Sequence, residues 1–308
     1  RTRGPEAARA VISKRLRVAA EALGPTYIKL GQIISAGEGL FPAELVAGIH
    51  ASGAFTVNVY PDYSPHAHGW LHRQAVGAYD LVISTKPFHP EHWNKTYGYR
   101  NRCVFVPQGY DPRLHLIEAP PKAFEFDVVM VATYRPEYGR LAIELGREIG
   151  TSGVRVAIAG NGWSGIRRDL PSTWTLPGPV HGHGYVDLLR KGKICIAPLT
   201  REVIIAGRRQ PGDVDTTRTY ELAAAHCFFI HRHTDYARSL YAEDEVPMYE
   251  GSADLAEKIR YFLAHDEQRF RAATAAHRRA VPSYSLDARA AQIVDVLSDQ
   301  IAREVPAL

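Results

Sequence analysis

The stretch Phe126–Gly160, FDVVMVATYRPEYGRLAIELGREIGTSGVRVAIAG, decides the fold. It opens with FDVVMVA, an apolar run of strand length that lacks the polar alternation of a half-exposed strand. That composition fits a strand buried on both faces. After a polar loop, EYGRLAIELGREIG is amphipathic at helical spacing and closes on Gly150. VRVAIAG then supplies a second apolar strand. Strand, helix, strand predicts a parallel sheet covered on both faces.

The same rhythm extends in both directions. Downstream, YVDLLRKG (185–192) and TRTYELAAAH (217–226) read as helices, and KICIAPL (193–199) and CFFIHR (227–232) as strands. From Ser252 onward nearly everything reads as helix. Upstream, AFTVNVY (54–60), DLVIST (80–85) and RCVFVP (102–107) read as strands, with helices at 66–79 and 90–98 between them. The segment IEAPPKAFE (117–125), with two prolines and no periodicity, predicts a linker. The expected class is α/β with two Rossmann-like domains. They are a partial domain over 51–120 with three readable strands and a complete domain over 121–308, preceded by a helical segment over 1–50.

Composition narrows the function classes. The 308 residues are 45% hydrophobic and 23% charged, as in ordinary globular proteins. The formal charge of +4 is mild and scattered, which gives no basic stripe for nucleic acid. No apolar run approaches the roughly 20 residues of a membrane span. Cys103, Cys195 and Cys227 sit in apolar runs without CxxC spacing, so buried thiols in a reducing cytoplasm are expected. The 14 histidines form no set with a carboxylate at metal-ligand spacing, and no metal is expected.

In open α/β sheets, ligands sit beyond the carboxyl ends of the strands, where helix N-termini favour anions. Three loops meet that description. ATYRPEYGR places Thr133 and Arg135 after a strand. AGNGW places Gly160 and Gly162 where backbone can approach a ligand closely. GDVDTTRTYELAAAH runs from a polar loop into a helix and carries Asp213, Arg218 and Glu221. Arg218 suits a phosphate oxygen, and Glu221, one turn later, suits ribose hydroxyls. Asp213, Asp215, Thr216 and Thr217 equally fit a simple N-cap cluster. His181 and His183 could touch a donor base or sugar from their loop.

From about Phe55 to Val296 the chain resembles the GT-B glycosyltransferases, specifically their CgeB-like group. The resemblance rests on VYPDY, DLVIST, VFVPQGYDPRLH, VATYRPEYGR and RTYELAAAHCFFIH, followed by MYEGSADLAEKIRYFLAHDEQR. It implies transfer of a sugar from a nucleotide-diphosphate sugar to an unknown acceptor, with no further cofactor. The family's Arg-[Thr/Ser]-[Phe/Tyr]-Glu motif matches Arg218 and Glu221. The Glu-x7-Glu of the wider retaining group has Asp213 at its first position here. The resemblance further implies that Arg135 and Arg218 meet the charge of the leaving diphosphate and that Asp62 acts as general base toward the acceptor. As a residue following Pro61, Asp62 is also a plain turn residue.

Residues 1–48 resemble a different family, the UbiB-type atypical kinases, through Lys29-Leu30-Gly31-Gln32 within LGPTYIKLGQIIS and through GEGLFPAELV. The nucleotide loop, Glu-x-Asp and Asp-Phe-Gly motifs of those kinases do not follow, so phosphoryl transfer has no Mg-ATP site. A fused reading frame would account for this change of resemblance near His50 and for a shortened first sheet. Besides catalysis, a non-catalytic protein that binds nucleotide sugars, or a kinase-related fragment, fits the same residues.

Overall fold

The computed structural model describes residues 55–60, 79–97, 103–205 and 207–304. The segment expected to be helical over 1–50 and residues 66–78 of the helix expected over 66–79 lie outside them. The chain divides into two compact units. The first comprises Arg1–Pro107, Ile204–Arg209 and Val296–Leu308, and the second Gln108–Val203 and Gln210–Asp295.

In the first unit, β1 (Val57–Tyr60), β2 (Leu81–Ser84), α1 (His89–Tyr97) and β3 (Cys103–Phe105) follow the predicted order. The strands form a parallel sheet in the order β1-β2-β3, with Val57 beside Leu81 and Val82 beside Cys103. Asp80 braces its start, accepting from the Thr56 N–H at 2.8 Å and hydroxyl at 2.7 Å. At its end, Ser84 meets His89 Nδ1 at 2.6 Å, and the His89 ring stacks on Trp93.

The second unit contains α2 (Pro112–His115), β4 (Phe126–Val131), α3 (Pro136–Ile149), β5 (Val156–Ala159), a 3-10 helix (Trp163–Asp169), β6 (Thr175–Gly178), α4 (Gly182–Arg190) and β7 (Gly192–Ala197). A hairpin follows in the chain, β8 (Glu202–Ile205) with β9 (Arg208–Pro211). Then come α5 (Thr217–Ala224), β10 (Phe229–Arg232), α6 (Asp235–Leu240), β11 (Met248–Tyr249), α7 (Ser252–Ala264), α8 (Asp266–Ala280) and α9 (Leu286–Glu304). Six of the strands form a sheet in the order β11-β10-β7-β4-β5-β6, parallel throughout. The chain builds outward from β4 through β5 and β6, then returns to the other edge of β4 through β7. That is the Rossmann order, with its switch point between β4 and β7.

Alternate residues of β4 serve opposite faces. Val128 and Met130 pack with Ala142, Leu145 and Ile149 of α3 and with Leu255 and Ile259 of α7. Val129 and Val131 pack with Val186 and Leu189 of α4 and with Leu222 and Ala223 of α5. Each fully buried aliphatic side chain contributes roughly 1.5–3 kcal/mol, so the unit is built around this strand. Cys103, Cys195 and Cys227 are buried and unbridged.

Four features depart from the sequence reading. β6 has the sequence TLPG, and a proline in a half-exposed edge strand leaves no periodic signal. β11 is two residues long, and the β8–β9 hairpin pairs the short apolar run of β8 (EVII) with the polar β9 (RRQP); neither was read from the sequence. The segment expected to be a linker packs on the second unit, because its backbone groups pair with helix ends. The Ile117 N–H donates to Ala224 O at 3.1 Å, Arg190 donates to Ala119 O at 3.0 Å, and His226 Nδ1 meets Glu118 O at 3.0 Å.

The N-terminus of α5 is anchored from beneath. Thr219 Oγ1 accepts from the Thr216 N–H at 3.1 Å and meets His231 Nε2 at 2.8 Å. His231 Nδ1 lies 2.6 Å from Arg232 O, which can only accept. Its proton therefore sits on Nδ1, and Nε2 accepts from the Thr219 hydroxyl. His231 is fully buried, and burial pushes its pKa down to about 4.

This packing generates two predictions. A Cβ on Gly160, at φ +137°, would stand 2.1 Å from the Ala132 carbonyl oxygen, whereas one on Gly162, at φ +85°, would meet the Tyr134 side chain at 3.0 Å. Gly160→Ala is expected to cost at least about 3 kcal/mol and Gly162→Ala about 1–2 kcal/mol, measured by urea unfolding. For His231, the unfolded chain binds a proton near pH 6.5 that the folded chain refuses until about pH 4. Its contribution is present above pH 6.5 and is lost as pH falls, on the order of 3 kcal/mol in all. Unfolding titrations at pH 7, 6, 5 and 4 should show a decline that is shallower in His231→Gln.

Candidate functional site

The polypeptide leaves β4 under tight control. The Ala132 N–H donates to Ala159 O at 2.9 Å, the Trp163 indole N–H to Ala132 O at 2.6 Å, and the Tyr134 N–H to Asn161 O at 2.8 Å. Gly160 packs against the Ala132 carbonyl, where no side chain fits. This leaves Thr133 exposed at the carboxyl end of the sheet, beside the switch point.

A cleft of about 340 Å³ opens there within the second unit. Its lining includes Thr133 and Gly160 from the strand ends, His181 and Tyr185 from the start of α4, and Arg218 and Glu221 from the first turns of α5. His115, at the end of α2, completes it. Of the residues expected at the site, Thr133, Gly160, Arg218 and Glu221 are therefore brought together. Arg135 is exposed at the N-cap position of α3, makes no cap hydrogen bond, and lies outside the lining. Gly162 and Asp213 also lie outside it. Gly162 begins the 3-10 helix, and the Asp213 N–H donates to Thr200 O at 2.8 Å. Asp62 lies outside the described residues. His181 lines the cleft and His183 does not.

The N-cap cluster expected before α5 resolves into distinct roles. Thr216 is the N-cap residue, and the buried Asp215 accepts from the Tyr220 hydroxyl at 2.5 Å. Thr216 holds the N-cap position without a side-chain cap hydrogen bond, and Arg218 and Glu221, three residues apart on α5, both reach the cleft.

These two side chains differ in what surrounds them. The Arg218 guanidinium makes one long hydrogen bond, 3.4 Å to Pro198 O, and its buried Nε has no partner among the described residues. No ion pair involving Arg218 occurs among those residues. Its charge adds to that of the α5 N-terminus, so the cleft offers positive potential and unused N–H donors to an anion. Glu221, by contrast, is held on one oxygen and faced by a ring nitrogen on the other. The Tyr185 hydroxyl donates to Oε2 at 2.7 Å, and His115 Nε2 stands 3.6 Å from Oε1. Burial, followed by the charge of Glu221, keeps the Tyr185 phenol well above its ordinary range, so it stays a donor.

His115 and Tyr185 were not singled out in the sequence. They lie 36 or more positions from Glu221, in segments that read as an ordinary strand exit and an ordinary helix. Among the described residues no group of three or more His, Cys, Asp or Glu side chains is placed to hold a metal ion. No helix among them is long and apolar enough to cross a membrane.

Comparison with known proteins agrees with this architecture. HepE from Anabaena, solved with UDP and glucose, superposes with a TM-score of 0.62 at 15% identity, over 90% of this chain and 82% of that one. Sucrose-phosphate synthase from Thermosynechococcus elongatus gives 0.58 at 12% identity, over 85% of this chain and 72% of that one. S. aureus TarM, solved as a point mutant with fondaparinux, alpha-GlcNAc-glycerol and UDP, gives 0.54 at 13% identity over 71% of this chain. This chain spans 44% of TarM, less than half its length. At these identities the likeness establishes the fold, an α/β architecture with parallel sheets as in GT-B glycosyltransferases. No curated protein sequence matches the chain. A family model described as glycosyl transferase-like matches residues 140–295, just over half of the chain and including α4, α5 and the sheet from β5 to β11. The chain belongs to that glycosyl transferase-like family.

Proposed function

We propose that the cleft binds a nucleotide-diphosphate sugar and that the chain transfers its sugar to an acceptor hydroxyl, as a member of the CgeB-like group. The observation that carries this reading is the pairing on α5: an arginine with no ion pair among the described residues and a carboxylate held by a tyrosine hydroxyl, both lining one cleft at a helix N-terminus. A diphosphate supplies the missing anion and a ribose supplies hydroxyl donors. UDP accompanies two of the structural neighbours named above.

In this reading the bond from the anomeric carbon to the diphosphate oxygen breaks as the acceptor oxygen bonds to that carbon. Negative charge grows on the leaving diphosphate, where Arg218 and the N–H groups of α5 meet it. Preorganised donors of this kind stabilise a transition state more than a ground state. The cation at the leaving group is thus supplied by the chain. Glu221 accepts hydrogen bonds from the ribose. Thr133 and Gly160 form the floor against which the ligand lies, with Gly160 keeping that floor free of a side chain. Arg135 and Asp213 have no part in this arrangement. The first unit is read as the acceptor side, with Asp62 as its general base.

The test is calorimetry and turnover with UDP-, GDP- and dTDP-sugars on the 308-residue chain. Arg218→Ala is expected to weaken binding at least about tenfold and to lower kcat by about 100- to 1000-fold. Glu221→Ala is expected to weaken binding about tenfold with a smaller effect on kcat. Binding by all three proteins alike, or by none, rejects the assignment. Binding that depends on Arg218, without turnover on any acceptor, favours a non-catalytic nucleotide-sugar protein.

A further inference from the structure

Among the described residues, Glu221 supplies the one carboxylate in the lining of the cleft, and its two neighbours reach it from separate elements. Tyr185 comes from α4 and His115 from α2. The His115 ring is buried and stands edge-on to the Tyr185 ring, with centroids 6.0 Å apart and planes at 87°. Its tautomer follows from its other nitrogen. The Asp111 backbone N–H donates to Nδ1 at 3.1 Å, so Nδ1 carries no proton in the neutral ring. The proton is on Nε2, the nitrogen that faces Glu221 Oε1 at 3.6 Å. At that separation the contact is electrostatic, not a formed hydrogen bond. Asp111 is itself fixed as the N-cap of α2, accepting from the Arg113 N–H at 2.9 Å.

A carboxylate has about four lone-pair sites, two on each oxygen. Tyr185 occupies one on Oε2, and the His115 N–H faces one on Oε1. Each oxygen keeps one site for the cleft that Glu221 lines. Two acceptors at fixed spacing match two adjacent hydroxyl groups.

We propose that His115 and Tyr185 are positioning residues that orient Glu221 to accept from both hydroxyls of a ribose, so that the cleft selects ribonucleotides over 2′-deoxyribonucleotides. The proposal rests on the reading of the cleft as a nucleotide-sugar site. It adds the sugar selectivity and assigns it to two residues that do not touch the reacting bond. Losing the 2′-hydroxyl leaves one oxygen of a half-buried, oriented carboxylate without its donor, which is costly only while the carboxylate cannot turn away.

The experiment is calorimetric titration of UDP and 2′-deoxy-UDP, with GDP and 2′-deoxy-GDP in parallel, against the 308-residue chain and four variants. Circular dichroism melts check folding. The wild type is expected to prefer the ribonucleotide about tenfold. Tyr185→Phe and His115→Asn should bring the two affinities to within about threefold, mainly by weakening the ribonucleotide. Asparagine keeps an acceptor near the Nδ1 position for the Asp111 N–H but loses the donor toward Glu221. Glutamine does the reverse, so His115→Gln should retain most of the preference. If asparagine keeps the preference and glutamine loses it, His115 serves only to cap Asp111, and its assigned role is overturned. A wild type without preference, or variants that weaken both ligands equally, overturns the proposal while leaving the nucleotide site intact. If Glu221→Ala leaves binding unchanged, the ribose role of Glu221 and the proposal fail together, whereas if no nucleoside diphosphate binds, the functional reading fails and the proposal with it.

Discussion

The carbonyl end of β4 is the constraint on which the second unit depends. β4 is hydrogen-bonded on both edges and buried on both faces, and the chain crosses from one of its sides to the other. Adjacent loops therefore diverge at its end, and a crevice is unavoidable. What makes that crevice definite is the Ala132 carbonyl. It accepts a hydrogen bond from the Trp163 indole N–H and is approached by Gly160 so closely that no Cβ fits. One oxygen thus ties the exit of β4 to the exit of β5 and sets the floor of the cleft.

The wall opposite that floor is α5, and its placement rests on a buried hydroxyl. Thr219 joins the first turn of the helix to His231 on the neighbouring strand, with the direction of each proton set by Arg232 O. A helix positioned this way presents its second and fifth residues, Arg218 and Glu221, to the cleft without freedom to roll. The two side chains then differ in their electrostatics. Arg218 keeps unmet donors, whereas Glu221 is satisfied on one side by Tyr185 and faced on the other by His115. A site with a ready cation and an oriented acceptor suits a ligand with a phosphate at one end and hydroxyls at the other.

Much of the sheet was legible because burial on both faces forces continuous apolar runs. β4, β5, β7 and β10 each read as strands for that reason, and the helices between them showed ordinary amphipathic spacing. β6 and β11 escaped because an exposed edge containing Pro177 and a two-residue strand leave no periodic trace. The segment 117–125 was legible as irregular, but its docking was not. The hydrogen bonds there use the Ile117 N–H as donor and the Glu118 and Ala119 carbonyls as acceptors, backbone atoms that carry no residue code.

For the cleft, local sequence determined what each element could offer. A polar loop before an apolar helix marks an N-terminus, and Arg218 and Glu221 three positions apart must share a face. Glycine at position 160 announces a backbone conformation or an approach that other residues cannot take. Only the tertiary structure decided which of the candidates meet. It joined Thr133, Gly160, Arg218 and Glu221, left Arg135 and Asp213 outside, and added His115 and Tyr185. The physical reason is that periodicity reports which side of an element is buried, one element at a time. Which side chains of different elements converge depends on strand order, on where β4 ends, and on contacts between residues far apart in the chain, such as Tyr185 and His115 with Glu221.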